Sequence, residues 1–200
     1  HGVFGIYDIP MVASLPLTLV ACVGLINAIN LIDGIDGLSS GYGIAASMLF
    51  SAWACMHGND VSLLVACALI GALIPFFIYN VFGKQNKMFM GDGGSLVLGF
   101  ICSLFVMRVI QSGYDVVTGS TISFTLAVLA VPVFDTLRVM TARMLQRRSP
   151  FSPDKTHLHH MFIALGFSHV ITALNVIFLN GLVVVAWHMC NVFDCSPEVQ

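Results

Sequence analysis

The stretch NAINLIDGIDGLSSG, residues 27–41, stands between two long apolar runs and carries two aspartates, Asp33 and Asp36. A carboxylate at the centre of a bilayer costs about 3 kcal/mol even by lenient scales. These acids therefore belong at the end of a membrane span or in a wet site, and the runs on either side read as spans. The composition agrees. Only 9% of the 200 residues are charged and 58% are hydrophobic, with a mean hydropathy of +0.92. A soluble domain carries about 25% charged residues, so the chain belongs in a lipid bilayer. The net charge of −2 points to no partner, and no nucleic-acid partner is expected.

A hydrocarbon core of about 30 Å takes roughly 20 apolar residues as helix. Six stretches qualify: 10–29, 41–57, 61–82, 94–111, 119–139 and 170–192. The expected architecture is all-α, a single integral-membrane domain over residues 1–200 built as a polytopic bundle of about six transmembrane helices. The loops after the first, third and fifth spans, with their edges, hold Lys84, Lys87, Arg138, Arg143, Arg147, Arg148 and Lys155, leaving Arg108 alone toward the other side. The positive-inside rule makes that face cytoplasmic. The scattered cysteines show no zinc spacing and read as small hydrophobes, with a Cys190–Cys195 disulfide conceivable.

The same three loops hold the polar clusters. Asn27, Asn30, Asp33 and Asp36 recur at helical spacing, which would bring them to about one face. Two readings stand: a ligand site approached closely through Gly34 and Gly37, or an aspartate capping the next span. FMGDGGS, residues 89–95, opens the fourth span. Backbone N–H groups there suit phosphate oxygens, and Asp92 would tolerate a phosphate only across a divalent cation such as Mg²⁺. A plain glycine-rich turn is the competing reading. RRSPFSPDKTHLHH, residues 147–160, gathers Arg147, Arg148, Lys155, His157, His159 and His160. Its cations serve as membrane anchors or as ligands. Its imidazoles match donation to diphosphate oxygens better than zinc, which would want further Cys or carboxylate ligands. Asp135, three residues before Arg138, reads as a local ion pair, and Trp53 and Trp187 as interface anchors. Together these residues point to a site at one membrane face for a metal-bound di- or polyphosphate, with an apolar co-substrate.

Taken in order, NAINLIDGIDGLSSG, FMGDGGSLVLG, PVFDTLRVM and RRSPFSPDKTHLHH, spanning residues 27–160, resemble the polyprenyl-phosphate N-acetylhexosamine-1-phosphate transferases, the superfamily that includes the MraY translocase. The SPDKTHLHH form is similar to the branch using UDP-GlcNAc. The resemblance implies transfer of N-acetylglucosamine-1-phosphate from UDP-GlcNAc to undecaprenyl phosphate with release of UMP, at the start of an envelope polysaccharide such as O-antigen. It implies Mg²⁺ (or Mn²⁺) on Asp92 with Asn30 beside it, Asp36 on the uracil with Phe89 stacking on that base, and Asp33 in the same pocket. It implies a loop of His157, His159 and His160 engaging the diphosphate and sugar. Asn27, Arg147, Arg148 and Lys155 are further expected substrate contacts. The implied home is a bacterial inner (plasma) membrane, multi-pass, with the site loops cytoplasmic; a homodimer is left open.

Two alternatives remain in view. One is the same chemistry on UDP-GalNAc, a UDP-FucNAc-type donor or UDP-MurNAc-pentapeptide. The other is a transporter for an anionic solute, although transport sites favour the bilayer midplane and internal repeats. One departure from the family is plain: the acidic pair of an early cytoplasmic loop has no counterpart before residue 27. The chain begins with His1 and shows six spans where the family has about ten. N-terminal spans are thus expected to be missing and this piece alone to be inactive.

Overall fold

The computed structural model describes residues 10–112, 119–150, 152 and 156–193. All regular structure among these is helical: α1 (Met11–Leu31), α2 (Leu38–Met56), α3 (Asp60–Phe82), α4 (Gly91–Ser112), α5 (Gly119–Val128), α6 (Ala130–Leu145), α7 (Leu158–Ala164) and α8 (His169–Val192). Lys155, expected to bind substrate, and Cys195 lie outside the described residues, as do Pro153 and Asp154.

Among the described residues, four helices are long and apolar enough to cross a membrane, namely α1, α3, α4 and α8, and a bent α5–α6 pair would make a fifth. The six expected spans are thus four or five. The candidate that falls away is α2. It has a span's length, but Ser39, Ser40 and Ser47 lie buried along it beside Gly43 and Ala46. It packs against α3, α4 and α8, so its small polar face meets protein. The lipid-length helices instead leave large apolar side chains outward, among them Leu15, Val20, Leu64, Ile78, Val97 and Phe178, as a helix against hydrocarbon does.

The expected span over 119–139 is a bent pair of helices. α5 and α6 meet at 77° across Leu129. The cause is chemical. Pro132 has no N–H to give to the carbonyl of Val128 four residues earlier. That carbonyl instead accepts from the Tyr42 hydroxyl at 2.7 Å and from Asn180 Nδ2 at 3.0 Å. The N–H of Val131, which would have gone to Ala127, donates to Asn180 Oδ1 at 3.0 Å. One buried carboxamide on α8 thus replaces a missing piece of helix backbone.

Close packing sets the rest. Gly99 on α4 lies against the backbone of Ile26 on α1, where a Cβ would come within 2.8 Å of the Ile26 Cα. Phe50 stacks on Phe105 at 5.1 Å and meets Phe124 edge-on at 6.0 Å. Trp187 continues this row from 5.1 Å and donates its indole N–H to Ser123 at 3.1 Å, so it is tied into the packing as well as lying near a span end. Cys102 is buried as expected, whereas Cys55 and Cys67 are exposed. The polar loops 32–37 and 83–90 and the described residues 146–150, 152 and 156–157 come together at one end of the bundle, joined by contacts that follow.

Candidate active site

The turn between α1 and α2 spans residues 32–37. It is not helical, so Asp33 and Asp36 part company. Gly37 takes φ +79° as the residue before α2, a conformation that favours glycine. No side chain caps α2, and the capping reading of the aspartates is overturned. Asp33 instead accepts from the Ser39 hydroxyl at 2.6 Å and faces a cavity. Asp36 has other partners: its Oδ2 accepts from Lys87 Nζ at 2.7 Å and from His169 Nδ1 at 3.0 Å.

That cavity, of about 450 Å³, is lined by Asn27, Asn30 and Asp33 from the α1 end, by Thr136 and Arg143 from α6, and by His157, His159 and His160. Five of the six expected side chains from the first and third loops that line it are neutral polar groups suited to phosphate and sugar hydroxyls; the sixth, Asp33, is a carboxylic acid. Burial raises the Asp33 carboxyl, the Ser39 hydrogen bond partly offsets this, and the charge of Asp92 raises it further. Burial also raises Asp36, but hydrogen bonds from Lys87 and His169, with their charges, more than offset it and leave that carboxyl below its ordinary value.

Asp92 sits in the first turn of α4. Asn30 reaches the same turn, donating its Nδ2 to the Ser95 hydroxyl at 2.7 Å, and Ser95 in turn donates toward the carbonyl of Gly91 at 3.0 Å. Among the described residues, no three His, Cys, Asp or Glu groups form a ready-made metal cage. Mg²⁺ rarely asks for one, since it keeps several waters and binds through one or two carboxylates and substrate phosphates. Asp92 and Asp33, whose charges act on each other, with Asn30 alongside, fit that donor set.

The histidine loop is built from α6. Asp135 accepts from Arg138 Nη2 at 2.7 Å, the local pair expected from their spacing, and also from His157 Nδ1 at 2.9 Å. His157 then starts α7, which places His159 and His160 on its first turn. The His159 ring packs against Gly34, where a Cβ would lie 2.3 Å from Nε2. That Nε2 is buried with no hydrogen-bond partner. Burial, then the nearby His160 and His157, push the His159 imidazole down to about 4.

Not every expected contact lines the cavity. Asp36, Asp92, Phe89, Arg147 and Arg148 are not among its lining residues. Phe89 is largely exposed, with Lys87 Nζ 5.4 Å from its ring centre and so beside Asp36. Arg147 and Arg148 are exposed beyond the end of α6, while Arg143 is buried and donates to the Pro150 carbonyl. Three residues escaped the sequence reading: Arg143, Asp135 in its link to His157, and Asn80. Buried in α3, Asn80 accepts from the N–H of Gly37 at 2.6 Å and donates to the carbonyl of Met88 at 2.8 Å, tying the first two loops together. A lone asparagine inside an apolar run was the available signal.

The fold is that of an all-helical protein with several apolar helices of membrane-spanning length, and the chain matches glycosyl transferase family 4 over residues 1–110. The chain belongs to that family. It is 37% identical over 170 residues to a probable undecaprenyl-phosphate N-acetylglucosaminyl 1-phosphate transferase of Bacillus subtilis, covering 85% of this chain and 46% of that protein. It is 33% identical to the decaprenyl-phosphate N-acetylglucosaminephosphotransferase of Mycolicibacterium smegmatis, over 84% of this chain and 45% of that protein. It is 34% identical to the undecaprenyl-phosphate alpha-N-acetylglucosaminyl 1-phosphate transferase of Escherichia coli K12, over 76% and 41%. The chain spans about half the length of the curated relatives it matches.

Proposed function

We propose that this chain carries the donor-diphosphate half of an enzyme that transfers N-acetylglucosamine-1-phosphate from UDP-GlcNAc to undecaprenyl phosphate, releasing UMP. The observation that carries the reading is the single cavity in which Asn27, Asn30 and Asp33 from one loop face Arg143 and three histidines from another. The names of the relatives agree with it. The site loops face the cytoplasm of a bacterial inner membrane in this reading, because they hold almost all the Lys and Arg of the chain.

The reaction joins an oxygen of the acceptor phosphate to the sugar-bearing phosphorus of the donor and breaks that phosphorus's bond to the bridging oxygen, which leaves on UMP. Arg143 supplies positive charge and N–H donors where negative charge gathers, and the His157–His160 segment lines the same cavity. Asp33 and Asp92, with Asn30, would hold Mg²⁺, which supplies charge neutralisation on the diphosphate when bound. Asp36, Lys87 and Phe89 form a neighbouring surface with an acceptor, a cation and an exposed aromatic face, features suited to a nucleobase. Asn80 holds the two loops that present it.

The test uses the complete reading frame, expressed in membranes lacking this activity and supplied with labelled UDP-GlcNAc, undecaprenyl phosphate and Mg²⁺. Label passing into the organic phase, dependent on Mg²⁺ and lost in Asp92→Asn, is the expected result. No organic-phase label from GlcNAc, with label from another UDP-sugar, would move the donor assignment. No label from any UDP-sugar would overturn the reading.

A further inference from the structure

Asp135 and His157 are both buried, at 7% and 4% exposure. They form more than a contact of convenience. Oδ1 of Asp135 accepts from Arg138 Nη2 at 2.7 Å and Nε at 3.2 Å, and the N–H of Leu158 lies 3.1 Å from both carboxylate oxygens. Oδ2 also accepts from His157 Nδ1 at 2.9 Å. Arg138 Nη2 also donates to the Thr156 carbonyl at 2.6 Å, so α6 grips both sides of His157. A carboxylate held by a guanidinium and a backbone N–H is ionised and can only accept. The proton between Asp135 and His157 therefore resides on Nδ1, and the ring nitrogen left for the cavity is Nε2. His159, by contrast, has its Nε2 buried against Gly34 with no partner.

We propose that Asp135 is a positioning residue for the transfer reaction: it fixes the Nδ1–H form of His157, so that Nε2 offers a lone pair to the bound acceptor phosphate. The inference rests on the phosphotransfer reading above. When the acceptor phosphate carries one proton, Nε2 takes that proton as the phosphate oxygen forms its bond to the donor phosphorus. The bond to the bridging oxygen breaks, and UMP leaves with the electron pair. Atoms and charge balance with no further reactant.

Asp135→Asn tests this with little steric change. Its side-chain oxygen can keep the bonds to Arg138 and Leu158, while its NH₂ then faces His157 Nδ1 and forces the imidazole proton onto Nε2. In the full-length protein, kcat should fall about 100-fold, the scale of a lost acid–base group, with KM for the donor changed less than about threefold. Asp135→Glu should recover part of the rate. In a His157→Ala background, Asp135→Asn should cost less than about twofold, because the residue acts through His157. A role confined to packing α6 would cost similarly in both backgrounds. Nitrogen-15 spectra of histidine-labelled wild-type protein, with the His157 signals assigned by their loss in His157→Gln, should show the proton on Nδ1 and none on Nε2. That measurement needs no turnover and no folded Asp135 variant. A proton on Nε2, an unchanged kcat in Asp135→Asn, or additive losses would overturn the proposal while leaving wild-type transfer intact. Absence of transfer by the wild type would overturn the functional reading and this proposal with it.

Discussion

Asn180 donates its side-chain Nδ2 to the carbonyl of Val128 at 3.0 Å, from α8 into the break between α5 and α6. With its Oδ1 on the N–H of Val131, it satisfies both sides of a gap that Pro132 opens. Unpaired backbone groups in a membrane protein's interior have no water to turn to. The bend in turn sets the direction of α6, and α6 carries Thr136, Val139 and Arg143 to the cavity wall.

Asn180→Leu should therefore destabilise the protein. It removes the partner of Val131 and one of the two partners of Val128, at about 1–3 kcal/mol for each buried group left unsatisfied. A lowered thermal midpoint of the detergent-solubilised full-length protein would show it. An unchanged midpoint would mean that the break is not held by Asn180.

Two helix glycines should respond in opposite ways. Gly99→Ala puts a Cβ 2.8 Å from the Cα of Ile26, so α1 and α4 must separate; overpacking of this kind costs about 1–3 kcal/mol. Gly24 has no such neighbour within 4 Å, and Gly24→Ala should be neutral or stabilising by up to about 1 kcal/mol. Paired thermal melts would separate the two outcomes.

At Gly34 the obstacle is the His159 ring. Gly34→Ala would place its Cβ 2.3 Å from His159 Nε2, and the ring must leave its position. Transfer should fall about 100-fold, the scale of a misplaced reacting group, with the thermal midpoint changed far less than in Gly99→Ala. Activity near wild type would mean that His159 is not needed where it stands.

Acidification should weaken the fold through His159. Its folded value near 4 lies below the ordinary 6.5, so between these values the unfolded chain binds more protons than the folded one. Stability is then full above about pH 6.5 and is lost as pH falls toward 4, by at most about 3 kcal/mol. Asp33, raised by burial, works in the opposite sense, favouring the fold as pH falls. The comparison that isolates His159 is the pH dependence of the melting midpoint in wild type against His159→Gln. The variant's curve should be flatter or inverted across this window, and parallel curves would sink the assignment.

Asn80→Leu should loosen the surface that carries Asp36 and Phe89. It leaves the Gly37 N–H and the Met88 carbonyl without their partner, so the loops bearing Asp36 and Phe89 lose their tie. KM for the donor should rise about tenfold or more, with a smaller change in kcat. Steady-state kinetics with varied UDP-GlcNAc would show whether the split falls that way.

What the sequence by itself determined was everything encoded locally. Apolar runs of span length required a membrane, the clusters around Asp33, Asp92 and His157 required a polar site at span ends, and the lysines and arginines put those clusters on one face. Helix boundaries at α1, α3 and α8 fell within two residues of the apolar runs. What only the tertiary structure decided was how distant residues complete one another. The break at Leu129 depends on Asn180, 49 positions from Val131. The role of Asp135 depends on His157, 22 positions on, and Arg143 rather than Arg147 or Arg148 reaches the cavity because α6 leaves the bend in one direction. The turn at 32–37 gives Asp33 and Asp36 different partners, Ser39 for the first and Lys87 and His169 for the second, although their spacing alone suggested one face. The physical reason is common to all of these: a hydrogen bond between remote residues leaves no periodicity in the chain, whereas burial of an apolar run does.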